Sequence, residues 1–187
     1  IAVLLFIIVL GFLLYFFRSY ELKKKIQKST SDLSKLLKVF DEYVIASETD
    51  LEGNITYVSN AFCKISGYSK KELLGKNHRI MKHPDSEPEI FKGLWETIAA
   101  GKAWHGLVKN SKKDGGYYWV ETVITQDFDA FGRPFGYMAV RQDVTAEMEL
   151  KEFSENLGGI VKNRTEELLV LNKQQKAIFD SASIGIM

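Results

Sequence analysis

Cysteine is nearly absent. Cys63 is the only one in 187 residues, so no intrachain disulfide can form. A single thiol within Ala61-Phe62-Cys63-Lys64 reads as a small buried residue rather than a nucleophile. Histidine is scarce too: the three histidines are scattered and with one cysteine match no common zinc spacing, so no metal site is expected. Neither sign of charge is in excess. With 25 Lys+Arg against 24 Asp+Glu the formal net charge is +1, which argues against a nucleic-acid partner. The chain has no glycine-rich phosphate loop, no nucleophile elbow and no Ser/His/Asp constellation. Lys112-Lys113-Asp114-Gly115-Gly116 is a turn rather than a nucleotide cradle. No catalytic residues are expected, and the segment is not read as an enzyme.

What the chain has in quantity is apolar sequence at one end. Residues 1–17, Ile-Ala-Val-Leu-Leu-Phe-Ile-Ile-Val-Leu-Gly-Phe-Leu-Leu-Tyr-Phe-Phe, would span about 25 Å as a helix, slightly short of a hydrocarbon core of about 30 Å. A signal peptide would need a basic start and a small-residue cleavage site, and neither is present. A core helix would hardly be apolar all round and then switch at once to charge. With no initiating Met, the chain is expected to begin inside a transmembrane helix. Arg18, Lys23, Lys24, Lys25 and Lys28 follow, with only Glu21 against them. Positive flanks mark the cytoplasmic side, so the expectation is a single-pass segment in the inner membrane, with the rest in the cytoplasm. The basic run can also touch anionic lipid.

Leu22, Ile26, Ser29, Leu33, Leu36 and Phe40 alternate steps of four and three, a heptad seam over residues 18–42 that fits a two-stranded coil in a homodimer or one helix packed on its own domain. From 43 to 145 the pattern is α+β. Tyr43–Ser47 and Ile55–Ser59 read as strands around the Leu-Glu-Gly-Asn turn at 51–54. Short helical pieces at 60–65 and 69–74 each end at glycine. Residues 87–99 make a longer helix with Ile90, Phe91, Leu94, Trp95 and Ile98 on one face. Strands at 103–110, 117–128 and 135–144 follow. A further helix over 146–176 carries Leu150, Phe153, Leu157, Val161, Leu168 and Leu171, with a weak point at Gly158-Gly159.

Two strands, helices, then three strands resembles a PAS domain, a small sensory fold with a five-stranded antiparallel sheet and helices on one face. Trp104-x-Gly106, Asn110, Lys113-Asp114-Gly115, Gly136-Tyr137-Met138 and the exit Asp143-Val144-Thr145 are similar to its later motifs. Residues 67–85 carry the middle of the pattern. In the light-oxygen-voltage (LOV) branch this segment holds Asn-Cys-Arg ahead of a glutamine; here it reads Asn77-His78-Arg79 with Lys82 at the glutamine position. His78 supplies no thiol for a cysteinyl photoadduct. His78, Lys82-His83-Pro84-Asp85 and Trp95 are instead similar to the FAD-binding sensors of aerotaxis receptors, although arginine is usual where Lys82 stands.

The resemblance implies a cofactor between sheet and helices, FAD first and haem or none as alternatives. Its implied contacts are Asn77, His78, Arg79, Lys82, His83, Asp85, Trp95, Asn110 and Arg141. Arg79 matches an arginine that meets flavin phosphate, Asn110 an asparagine facing the ring, and Arg141 replaces a strand glutamine near the ring's reactive edge; Val120 replaces a second asparagine. A cation at Arg141 favours negative charge on a reduced flavin, which suits redox or oxygen sensing. The plainer readings stay open: His78 and His83 as ordinary histidines, Arg141 paired with Glu121, and the tryptophans as core or sheet-face aromatics. Asp143 and Thr145 are expected to relay the signal. Residues 161–168 resemble the signalling-helix linkers between PAS modules, and 177–187 the start of a second PAS domain. Such arrays precede an output domain on the same chain, a diguanylate cyclase, a histidine kinase or a chemotaxis transducer. The rival reading is a cofactor-free dimerisation and relay module.

Overall fold

A computed structural model describes the backbone of residues 2–184, with side chains for Phe6 and from residue 9 to 176, apart from those nearest the start. One unit contains α1 (Ala2–Tyr43), β1 (Ile45–Asp50), β2 (Ile55–Val58), α2 (Asn60–Ser66), α3 (Lys70–Leu73), α4 (Pro88–Ala99), β3 (Trp104–Ser111), β4 (Tyr117–Phe128) and β5 (Pro134–Asp143). A second unit holds α5 (Thr145–Ile184), a helix unbroken through Gly158-Gly159.

The five strands form one antiparallel sheet in the order β2-β1-β5-β4-β3. Period-two alternation makes it one-sided. Val120, Thr122 and Ile124 of β4 are buried, while Glu121, Val123 and Thr125 are exposed. Helices cover the buried face. Ile55, Val58, Phe62, Leu73 and Met81 pack one end of the core. Leu94 and Ile98 of α4 pack on Ile124, Tyr137 and Ala139 at the other. Val108, Tyr118 and Val120 join the two.

Local chemistry fixes the elements. Ser59 caps α2, accepting from Phe62 N–H at 3.1 Å, and Ser69 and Glu72 form a reciprocal capping box on α3. Pro88 occupies the first turn of α4, where its missing N–H costs nothing. Gly136 is required by close approach, because a Cβ there would overlap the carbonyl oxygen of Thr49 across the β1–β5 ladder.

The structure departs from the sequence expectations in two places. The first strand starts at Ile45 because α1 continues through Tyr43. A 3-10 turn at His78–Met81 has no counterpart among the expected elements; Asn77 caps it, accepting from Arg79 N–H at 3.2 Å. Among the described residues no helix is long and apolar enough to cross a membrane, and the apolar run of 1–17 falls in part on residues outside that description. The expected second-domain start at 177–187 lies outside the described side chains, and from 185 outside the described backbone.

Candidate functional site

A cavity of about 390 Å³ lies between the buried sheet face and the helices, within the range of about 300–1,000 Å³ usual for small-molecule sites. Its wall is mostly apolar, with Phe91, Leu94 and Ile98 from α4 facing Val108, Ile124, Tyr137 and Ala139 from the sheet. Asn110, Thr122 and Arg141 come from three adjacent strands, line the cavity and are 5%, 2% and 8% exposed. Thr122 and Arg141 are cross-strand neighbours, whereas Asn110 pairs with Tyr118, four residues from Thr122 along β4.

Arg141 is held by neutral groups. Its Nη1 donates to Ser47 Oγ at 2.9 Å and, more weakly, to Ala139 O at 3.5 Å. Its Nη2 lies 3.1 Å from His78 Nε2. The guanidinium stands 5.3 Å from the Phe62 ring centroid, a cation–π contact. None of these acceptors is an anion, and among the described residues no ion pair joins Arg141 to a carboxylate. Burial holds its pKa down at about 10. Glu121, the alternative partner, is on the exposed face and contacts His105 at 3.2 Å. The hydroxyl of Thr122, the cross-strand neighbour of Arg141, is buried with no hydrogen-bond partner among the described residues. Buried polar groups are normally satisfied, so this corner carries two signs of a missing ligand.

His78 is part-exposed as a residue, but its imidazole faces inward, edge-on to Phe62 with centroids 5.8 Å apart. Burial first, and the charge of Arg141 second, pull its pKa down to about 3; it is neutral at physiological pH. Its backbone N–H donates to Gly53 O at 2.9 Å. Gly53 has φ +82°, and a Cβ there would stand 3.0 Å from the Trp95 ring, so the β1–β2 turn, the 3-10 turn and α4 meet where glycine leaves room.

A family model described as PAS fold matches residues 55–141. That stretch spans β2 to β5 with the helices between them. The aerotaxis receptor of Escherichia coli (strain K12) is 36% identical over 57% of this chain and 21% of its own length. The nitrogen fixation regulatory protein of Klebsiella pneumoniae is 30% identical over 74% of this chain and 29% of its own length. The chain thus spans between a fifth and a third of these relatives. Among solved structures, a light-oxygen-voltage domain studied with a flavin analogue superposes with TM-score 0.55 at 25% identity, covering 67% of this chain and 95% of that one.

Seven of the nine expected contact residues line the cavity: Asn77, His78, Arg79, Lys82, Trp95, Asn110 and Arg141. His83 and Asp85 do not. His83 stands edge-on to Tyr117 and its Nδ1 accepts from Asp85 N–H at 3.2 Å, while Asp85 pairs with Lys109; both brace the loop before α4. Asn77 lines the wall but its amide is already engaged, donating to Glu52 O at 3.0 Å and accepting from Arg79 Nε at 2.9 Å. Lys82 places its Nζ 4.9 Å from the Phe91 ring centroid. Trp95 stands edge-on to Tyr137. No cysteine lines the cavity among the described residues.

The sequence reading missed Ser47 and Thr122. Both are small hydroxyl residues on strands, where threonine and serine are commonplace. The one available signal was register: Thr122 shares a face with Val120 and Ile124.

Proposed function

We propose that this PAS domain is the sensory input of a membrane-anchored signal-transduction protein. Its cavity holds a flavin, FAD first, and reports redox state or oxygen. The carrying observation is Arg141, a buried cation without an anionic partner in the wall of a small-molecule-sized cavity. A buried charge is costly unless paired, and Thr122 adds an unsatisfied hydroxyl beside it. Both fit a ligand that is rich in acceptors and gains negative charge.

A flavin supplies reversible electron uptake. The chain's own residues do the rest. Arg141 lowers the free energy of negative charge formed beside it, more strongly in a buried site than in water. Asn110 offers both donors and acceptors. Leu94, Ile98 and Ile124 exclude water. Arg79 and Lys82, both exposed, give positive charge for a phosphate-bearing tail, and Trp95 an aromatic surface. The names of the relatives, an aerotaxis receptor and a nitrogen fixation regulator, and the flavin analogue of the LOV structure support the reading. Haem has less support: His78 Nε2 faces Arg141 and His83 lies off the cavity. The cofactor-free alternative draws on Arg141 being hydrogen-bonded by the protein alone.

Anchorage is supported by the apolar run and the basic cluster after it on one helix, α1. A homodimer is supported by exposed heptad residues, Leu22, Ile26, Leu33 and Leu36 on α1 and Leu150, Phe153 and Leu157 on α5. Asp143 and Thr145 would pass the signal into α5 and on to an output domain such as a diguanylate cyclase or a histidine kinase.

The test is an absorption spectrum of the purified protein after FAD loading, before and after reduction. Flavin bands that bleach on reduction are expected. A protein that stays colourless removes the flavin reading, and a Soret band replaces it with haem.

A further inference from the structure

The imidazole of His78 is the unexplained half of the Arg141 contact. A guanidinium has N–H donors and no acceptor. The 3.1 Å approach of Nη2 to His78 Nε2 therefore makes Nε2 the acceptor and puts the ring proton on Nδ1. Ser47 agrees with this assignment. Its oxygen accepts from Arg141 Nη1 at 2.9 Å, and its O–H stands 3.3 Å from His78 Nε2, so the one lone pair there is shared, with the shorter Arg141 contact as the principal bond. Three side chains from β5, the 3-10 turn and β1 thus close a ring of contacts in which Nε2 is the acceptor.

Few other charges bear on this ring. Ser47 of β1 and Phe62 of α2 carry none. Tyr118 of β4 lies within the field of Arg141, and burial pushes its hydroxyl up to about 12, so it is neutral. Arg79 on the same turn is directed to Asn77. Among the described residues Arg141 is the charged group in contact with His78.

We propose that His78 is the positioning residue for Arg141: as a neutral acceptor it holds the guanidinium, together with Ser47, for an anionic group of the bound molecule, and its ring becomes more basic when that group draws the guanidinium away. The identity of the anion, a reduced flavin, rests on the function proposed above; the tautomer and its coupling to Arg141 rest on this chain alone. With the guanidinium drawn away, Nε2 loses an N–H donor and the positive charge beside it, so the ring binds a solvent proton at a higher pH than before, with the Ser47 oxygen free to accept from it. Thr122, next to Arg141 across the ladder, offers the same anion a hydroxyl once rotation about χ1 turns it to the lumen.

Nitrogen-15 NMR of the histidine-labelled full chain tests this, with the His78 signals assigned through His78→Gln. In the ligand-free protein the ring is expected as the Nδ1–H tautomer, with no titration between pH 5 and 8. In Arg141→Gln the same ring should titrate at higher pH than in the parent. Reduction of the FAD-loaded protein with dithionite should raise the apparent pKa of His78 by at least one unit. FAD affinity should fall at least tenfold in His78→Leu and be largely restored in His78→Gln, which keeps an acceptor; a merely structural role gives equal losses. An Nε2–H tautomer, ordinary titration near pH 6.5 in the ligand-free protein, or no response to reduction overturns the proposal. If FAD does not bind, the flavin reading fails by itself, and the ligand-free tautomer and the Arg141→Gln titration still decide this one.

Discussion

An unpartnered buried hydroxyl costs about 1–3 kcal/mol, and Thr122 carries one next to a guanidinium that faces no anion. Replacing it by valine keeps the shape and removes the polar atom. Thr122→Val should therefore stabilise the ligand-free domain by about 1 kcal/mol, a rise of a few degrees in Tm. The same change should weaken FAD binding, because the ligand loses a hydrogen-bond donor. Calorimetry with and without FAD checks both signs; a fall in Tm of the ligand-free protein would falsify the claim that the hydroxyl is unsatisfied. At this scale the sequence was legible where a residue type was unusual. His78 in place of a thiol and Arg141 in place of an amide announced themselves. The contact between them was not legible, since it joins residues 63 apart through side-chain direction. Ser47 and Thr122 carried no unusual chemistry to notice.

At the scale of elements, the end of α1 is fastened to the domain by two adjacent carboxylates, Asp41 and Glu42. Asp41 accepts from Tyr57 Oη at 2.9 Å, Asn60 N–H at 3.2 Å and Lys70 Nζ at 3.1 Å. Beside it Glu42 pairs with Lys64. Burial pushes the Asp41 carboxyl up, but the bonds from Lys70, Tyr57 and Asn60 outweigh this and leave it below the ordinary 3.8. Tyr57 is pushed the other way, up to about 12, by burial and then by Asp41. A carboxylate with a lowered folded pKa contributes stability that is present above the unfolded value, about 3.9, and lost as pH falls through the folded one. The last turn of α1, including Val44 N–H to Phe40 O at 2.9 Å, should loosen below about pH 4. Asp41→Ala should loosen it already at neutral pH. Hydrogen exchange of residues 40–44 measures this; equal protection in variant and parent rules the clamp out. Most elements were legible from period and caps, as with the α4 stripe Phe91, Leu94 and Ile98. The 3-10 turn was not, because four residues between glycine and proline show no period. The clamp was not either: Asp41 looks like any polar residue near a helix end until its long-range partners are placed.

At the scale of the whole molecule, topology connects the cavity to both long helices. In the order β2-β1-β5-β4-β3 the neighbours β1 and β5 share the ladder, and the Ser47–Arg141 bond joins them on the cavity side. The first of these strands begins two residues after α1 ends, and the second ends two residues before α5 begins. A ligand that changes the partners of Arg141 therefore acts on the two strands that continue into helices, whereas β3 and β4 are joined only to their neighbours and α4. Two packed states differing by a few kcal/mol suffice for such a relay. Asp143, the last residue of β5, is not among the described residues of the cavity wall, which lets its proposed part in the relay be tested apart from ligand binding. Reduction of bound FAD should change amide exchange at residues 40–44 and at 145–150 in the parent. In Asp143→Ala the flavin spectrum and affinity should be unchanged and the response at 40–44 kept, while the response at 145–150 is lost. A variant that keeps the redox response at 145–150 removes Asp143 from the relay, and one that loses the flavin makes it part of the site.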